Sequence, residues 1–278
     1  MGKNKLATPV LKWVGGKRQL LDVLTPLLPK RITAYSEPFI GGGAMLFYLQ
    51  PATAYINDIN DELINVYNVI KSDVEALITE LQTFRNEAEY FYAVRDWDRN
   101  RPEYDTRSDV QKAARILYLN KTCYNGLFRV NNAGEFNTPF GSYRNPNIVN
   151  APTLRAVSAY LNAATIHLTS YDYAEVLKTL PKGTFVYLDP PYDPISDTSS
   201  FTGYSRGGFA RDDQIRLREC CDDLAARGLK FMLSNSATDF IKKQYASYHI
   251  TVVQAKRAVN SDSAKRGEVD ELVVRNYE

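Results

Sequence analysis

The 278-residue chain sets 34 lysines and arginines against 32 acidic residues, with 44% of positions hydrophobic and 24% charged. That is the make-up of an ordinary soluble globular protein, long enough for one large α/β domain with an insertion or for two domains. No run approaches the roughly 18 apolar residues of a membrane span, and the basic start at Met1–Leu6 lacks both a signal-peptide core and a myristoylation signal.

The chain is therefore expected in the cytoplasm, with no membrane contact and no obligate protein partner evident. Cys123, Cys220 and Cys221 offer no disulfide framework, and His167 and His249 have no partner at zinc spacing, so no metal site and no cysteine nucleophile are expected. A net charge of +2 does not by itself indicate nucleic acid. Its distribution says more, because Lys3, Lys5, Lys12, Lys17, Arg18, Lys30 and Arg31 are offset only by Asp22, a lobe suited to a phosphate backbone.

In chain order, Leu11-Lys-Trp-Val-Gly-Gly-Lys17 is a glycine turn opening an amphipathic helix. Leu20, Leu21, Leu24, Leu27 and Leu28 form its apolar stripe, up to Pro29. A strand at Ala34–Glu37 runs into Pro38-Phe-Ile-Gly-Gly-Gly43, a helix begins near Ala44, and a strand at Ala54–Asn57 ends in Asp58. This strand, glycine loop, helix, strand and acid form half of a Rossmann-like unit, in which glycines admit a close ligand and the acid accepts from ribose hydroxyls. The loop is not GxGxxG, which argues against a pyrophosphate dinucleotide.

Helices are expected over 61–71, 73–84, 87–98 and 108–120. The stretch from Lys121 to Tyr143 is dense in Asn, Gly and aromatic residues. It reads equally as a plain surface loop or hairpin and as a base-reading surface, where Arg suits guanine and Asn adenine. The α/β pattern resumes with a helix at Pro152–Asn162, a strand at Thr165–Leu168 and the acid Asp172. After the strand that follows come a polar loop over Asp193–Gly208 that could close over a bound base, a helix at 211–226 and a strand at 229–234. Two last strands, at 248–256 and 269–276, flank a polar Asn260–Gly267 loop carrying Lys265 and Arg266.

The stretch Thr184-Phe-Val-Tyr-Leu-Asp-Pro-Pro-Tyr192 organises the rest. Its first five residues read as a strand buried on both faces of a parallel sheet. It stops at Asp189 because two prolines follow, which supply no ladder N–H and hold the preceding residue extended. The stiff tip thus presents the Asp189 carboxylate, the Pro190 carbonyl, Pro191 and the flat ring of Tyr192, at the strand end where open α/β sheets bind ligands. Two acceptors beside an aromatic plate can hold an exocyclic amino group by both hydrogens while the ring stacks on its base.

The Asp-Pro-Pro-Tyr tetrapeptide resembles the signature of amino-group DNA methyltransferases. Over nearly the whole chain the sequence is similar to the Dam-type DNA adenine-N6 methyltransferases, including the adenine methylases of GATC restriction–modification systems. The blocks that carry the likeness, in family order, are Lys12–Lys17, Glu37–Gly43, Ile56–Asn60, Leu119-Asn120 with Tyr124–Arg129, Gly134–Gly141, Asp189–Tyr192 and Glu271–Tyr277.

The resemblance implies a Rossmann-like methyltransferase sheet, mostly parallel with a reversed last strand. The catalytic and cofactor-binding domain would comprise 1–60 and 147–278. A helical target-recognition domain with a DNA-reading loop or hairpin would be inserted at 61–146. It implies S-adenosylmethionine as cofactor, in a pocket of Trp13, Lys17, Glu37, Pro38, Phe39, Gly41, Gly43, Asp58, Asp172 and Asp189. Lys17 would place the methionine carboxylate, Asp58 the ribose, and Asp172 would lie near the adenine amine.

Double-stranded DNA is the implied substrate, with GATC the target. The implied DNA-binding residues are Lys12, Asn120, Tyr124, Asn125, Arg129, Asn131, Pro139 and Arg144. The family often has arginine where Ser142 stands, and Arg144 is the nearest substitute. The target adenine would be flipped out of the duplex, stacked on Tyr192 and held at N6 by Asp189 and Pro190. Two rivals stay open here: a methyltransferase of RNA adenine or of cytosine N4, and a catalytically silent DNA-binding homologue.

Overall fold

The computed structural model describes residues 2–13, 15–195, 208–256 and 268–278, with Ala255, Lys256, Glu268 and Val269 described by backbone alone. Most of the expected loop over Asp193–Gly208, and the Asn260–Gly267 loop but for its neighbouring strands, lie outside the described residues.

Seven strands form one sheet: β1 (Ala34–Glu37), β2 (Thr53–Asn57), β3 (Thr165–Thr169), β4 (Thr184–Leu188), β5 (Lys230–Ser236), β6 (His249–Lys256) and β7 (Glu268–Arg275). Their spatial order is β3-β2-β1-β4-β5-β7-β6. The first five are parallel, and β7 runs antiparallel to both β5 and β6. The α/β class and the mostly parallel sheet with its reversed last strand are as expected.

Every residue of β4 is buried. Its alternating side chains supply two cores, Phe185 and Tyr187 to one face and Val186 and Leu188 to the other. β4 lies between β1 and β5, so its ladder is satisfied on both edges and its C-terminal tip is rigidly placed.

Eleven α-helices are described: α1 (Leu21–Leu24), α2 (Ala44–Leu49), α3 (Asp61–Ser72), α4 (Val74–Gln82), α5 (Ala88–Arg95), α6 (Arg101–Thr106), α7 (Asp109–Thr122), α8 (Ala151–Ala163), α9 (Tyr173–Thr179), α10 (Arg211–Ala226) and α11 (Asp239–Gln244). Local sequence explains several starts. Asn60 caps α3 by accepting from Leu63 N, and Ser108 with Gln111 forms a capping box on α7.

The continuous N-terminal helix expected up to Pro29 is corrected. The segment is a 3₁₀ turn at Lys17–Gln19, the single turn α1, and a second 3₁₀ turn at Thr25–Leu27. Pro26 supplies no N–H for an α-helix, and the Thr25 hydroxyl donates back to the Leu21 carbonyl at 2.5 Å. Leu20 and Leu24 are buried all the same.

α3, α4, α5, α7 and α8 share one hydrophobic core with β1, β2 and the Phe185–Tyr187 face of β4. α9, α10 and α11 cover the opposite face. Leu63, Val66 and Leu119 are fully buried in the shared core, each contributing roughly 1.5–3 kcal/mol, so the helical segment is fused to the sheet rather than tethered to it. No described helix is long and apolar enough to cross a membrane.

Candidate active site

At the tip of β4 the Asp189 carboxylate pairs with the Lys17 ammonium, Nζ to Oδ1 2.8 Å. Lys17 is only 5% exposed and also donates to the Gly15 carbonyl at 2.7 Å. Its Nζ lies 4.6 Å from the centroid of the Tyr192 ring. A carboxylate and an aromatic face thus converge on one nitrogen. Burial raises the Asp189 carboxyl to about 6, with Lys17 opposing the rise and Glu271 adding to it. Lys17, expected at a cofactor carboxylate, pairs with Asp189.

The prolines are held from behind. Gln214 Nε2 donates to the Pro191 carbonyl at 2.8 Å, while no hydrogen bond from a described residue reaches the Pro190 carbonyl. Tyr192 donates its hydroxyl to Glu271 Oε2 at 2.7 Å.

Beside this tip, at the end of β1, Glu37 is buried and accepts from the Tyr35 hydroxyl at 2.7 Å. Burial pushes its carboxyl well above the usual range, and the nearby Asp189 and Asp58 push it further. Asp58 accepts from Gly41 N through one oxygen and from Asn60 N through the other, both at 3.0 Å. It ties the glycine loop to the end of β2, and burial raises its carboxyl to about 6.

Gly41 has φ +47°, and a Cβ there would sit 2.6 Å from Trp13 Cδ1, so only glycine fits. Gly43, at φ +71°, opens α2. Pro38 is buried and its carbonyl accepts from Asn57. Phe39 packs on Tyr173, ring centroids 5.1 Å apart, and on Phe209 at 6.0 Å. Asp172 caps α9 and takes both terminal nitrogens of Arg216 at 2.6 and 2.9 Å, which lowers its carboxyl although burial opposes this. Asp172, expected near the adenine amine of the cofactor, is thus also tied to α10 through Arg216.

Between α7 and α8 the chain makes a hairpin-like excursion with bridges Cys123↔Phe140 and Val130↔Phe136. Tyr124 is 55% exposed, Pro139 and Arg144 are exposed, and Asn125 is half-buried in the left-handed region at φ +56°. Arg129 Nε donates to Asn137 Oδ1 at 2.7 Å, across the hairpin. Asn131 closes the tip, donating to Glu135 and accepting from Ala133 N and Glu135 N.

Asn120 departs from its expected place at DNA. It is 3% exposed, accepts from Lys12 N, and donates to the carbonyls of Lys12 and Gly126. Its amide is consumed in clamping the N-terminal segment to the hairpin. The Lys12 side chain is exposed and runs past Gly126. Trp13 stacks on Phe128 at 4.8 Å while its edge meets Gly41, so the same ring touches both the glycine loop and the hairpin.

Residues 13–259 match the model of the D12 class N6 adenine-specific DNA methyltransferases. The chain belongs to this family. It is 43% identical to a type II methyltransferase of Lactococcus lactis subsp. cremoris over 99% of this chain and 98% of that one. A type II methyltransferase of Methanocaldococcus jannaschii is likewise 43% identical, covering 97% and 99%. The DNA adenine methylase of Escherichia coli strain K12 is 33% identical, covering 98% and 95%.

In this adenine-specific DNA methyltransferase, several residues around the β4 tip and the hairpin had no role assigned from sequence. Asp193 donates its N–H to Asn235 Oδ1, its carboxylate accepts from Thr238 and Arg211, and its carbonyl accepts from Ser236. Asn235 in turn donates to Gln214, which holds Pro191. This network fixes the backbone on both sides of Tyr192. The fully buried Arg115 pairs with Asp98 at 2.7 Å, and Asp98 accepts from Phe136 N at 2.8 Å, anchoring the hairpin to α7. The sequence signals were slight: Glu271 falls in a block resembling the family, and Asp193 directly follows the tetrapeptide.

Proposed function

We propose that the protein transfers a methyl group from S-adenosylmethionine to N6 of adenine in double-stranded DNA, at GATC, with the target base flipped from the helix. The observation that carries this reading is the convergence of Asp189 and the Tyr192 ring on one nitrogen, 2.8 Å from the carboxylate and 4.6 Å from the ring centroid. A stacked base presenting its amino group asks for the same two partners.

The residues fit a cationic cofactor. Glu37, Asp58 and Asp189 are carboxylates whose burial raises them, and Asp189 and Asp58 each raise Glu37 as well. A positive ligand relieves that cost, whereas a pyrophosphate would add to it. Glu37, Asp58, the glycine loop and the Phe39 face would hold the cofactor, and Lys17 stands close enough to serve both it and Asp189. When bound, the cofactor supplies an electrophilic methyl group. Asp189 and the Pro190 carbonyl each take one hydrogen of N6, leaving the lone pair directed away from both. Tyr192 fixes the plane of the base, and Asp189 stabilises the positive charge that grows on nitrogen.

Residues 61–146 act as the target-recognition insertion, and 1–60 with 147–278 as the catalytic part. Tyr124, Asn125, Arg129, Asn131, Pro139, Arg144 and Lys12 meet the duplex. Arg129, oriented by Asn137, reads a guanine through its planar fork. The test is methyl transfer to duplexes identical except at GATC, by wild type and Arg129→Ala. Wild type is expected to modify only the intact site. Arg129→Ala is expected to lose about 1–3 kcal/mol of discrimination at one guanine. A uniform loss on all duplexes would assign Arg129 to bracing its own loop, and equal wild-type methylation of every duplex would refute GATC.

A further inference from the structure

We propose that Glu271 is a positioning residue for the methyl-transfer step: by accepting the Tyr192 hydroxyl hydrogen, it sets the plane of the ring on which the target base stacks. The inference rests on the reading in which Tyr192 carries that base.

The backbone around Tyr192 is already fixed. Gln214 holds the Pro191 carbonyl, and Asn235 and Ser236 hold the N–H and carbonyl of Asp193. What remains free is the side chain, which turns about two torsions; holding the hydroxyl oxygen fixes the first, and because a phenolic hydrogen prefers to lie in the ring plane, the direction of the acceptor biases the second. The grip is short, 2.7 Å from Tyr192 Oη to Glu271 Oε2, as suits a hydroxyl donating to a carboxylate.

The acceptor is itself immobile. Glu271 is paired with Ser236 of β5 on one side and Val253 of β6 on the other, so its backbone is held by two antiparallel ladders. By the two-residue period of the strand, it shares a face with Val273, which packs in the same core as Phe185 and Tyr187. Two strands that meet through β5 thus place an acid opposite an aromatic 79 positions away in sequence. A surface glutamate serving only solubility needs none of this.

The charge of Glu271 has a second consequence. That charge acts on Asp189 and Tyr192 beyond β4 and on Tyr187 of β4, while Lys17 from the N-terminal turn and Glu37 at the end of β1 face Asp189. Glu271 raises the Asp189 carboxyl and Lys17 lowers it. Removing the Glu271 charge while keeping an oxygen acceptor should therefore move the acidic limb of the rate to lower pH.

The experiment is a double-mutant cycle on the full chain, reading the single-turnover methylation rate at saturating duplex and S-adenosylmethionine, with melting temperature alongside. Tyr192→Phe and Glu271→Ala are each expected to slow transfer about tenfold, a misplaced ring being costly at the reacting centre. The double variant should be no slower than either single one. Glu271→Gln should recover most of the rate and shift the acidic midpoint downward. Multiplying effects in the double variant, or a Glu271→Ala enzyme that melts lower yet transfers at the wild-type rate, would overturn the positioning role. Tyr192→Ala separates this from the underlying reading. A wild-type rate there refutes stacking and, with it, the role of Glu271. A slow Tyr192→Ala beside an unaffected Glu271→Ala refutes Glu271 alone.

Discussion

Lys17 and Asp189 form an ion pair, 2.8 Å between Nζ and Oδ1, with the lysine buried and the carboxylate half-buried, at the point where the tip of β4 faces the N-terminal turn. The pair holds the Asp189 carboxyl down against burial, which alone would carry it beyond about 6. In the proposed reaction Asp189 acts ionised, so activity is expected above its pKa and is expected to be lost as pH falls through it. Lys17→Met removes the opposing cation. The acidic midpoint of kcat/KM is expected near 6 for the wild type and higher for the variant, so the difference between them grows as pH is lowered from 8 to about 6. A midpoint that stays put or falls would show that Lys17 does not set this carboxylate.

Gly41→Ala tests the joint between the glycine loop and the hairpin. The new Cβ would meet Trp13 Cδ1 at 2.6 Å, at a backbone φ of +47° that disfavours any side chain. A cost of about 1–3 kcal/mol is expected from strain and overpacking. Because Trp13 also stacks on Phe128, duplex affinity should fall along with cofactor affinity. Calorimetric titration with each ligand checks this; loss of cofactor affinity alone would mean that Trp13 does not transmit the shift.

Asn120→Ala should act as a stability variant. It strands the Lys12 N–H and the carbonyls of Lys12 and Gly126, at about 1–3 kcal/mol for each buried group left unpaired. Denaturant unfolding should show the loss, and the ratio of rates on GATC and single-base variants should stay unchanged. A stable protein with altered sequence preference would return Asn120 to the DNA.

What could be read from sequence followed from local chemistry. Thr184–Leu188 could only be a doubly buried strand, and Pro190 and Pro191 fixed where it had to stop. The strands β1, β2 and β3 were likewise legible, and with them the edge where Glu37 and Asp58 stand beside the β4 tip.

The short helices α6, α9 and α11, of six or seven residues, were not foreseen. They are too short to show a full amphipathic repeat and owe their stability to packing. Asn120 illustrates the harder failure. An asparagine in a block shared with DNA-reading proteins has the right chemistry for adenine, and only its burial reveals that its amide is spent on Lys12 and Gly126. Glu271, Asn235 and Gln214 reach the β4 tip across 23 to 79 positions, a separation no local pattern encodes.

The central claim is that Asp189 acts on the reacting amine. Its most direct test is the single-turnover rate of Asp189→Ala on a GATC duplex at saturating S-adenosylmethionine, where any weakening of cofactor binding no longer counts. The rate is expected to fall by at least ~10²-fold, comparable to removing one preorganised group from a charge-stabilising site. A rate close to wild type under those conditions would contradict the account and remove Asp189 from the chemistry.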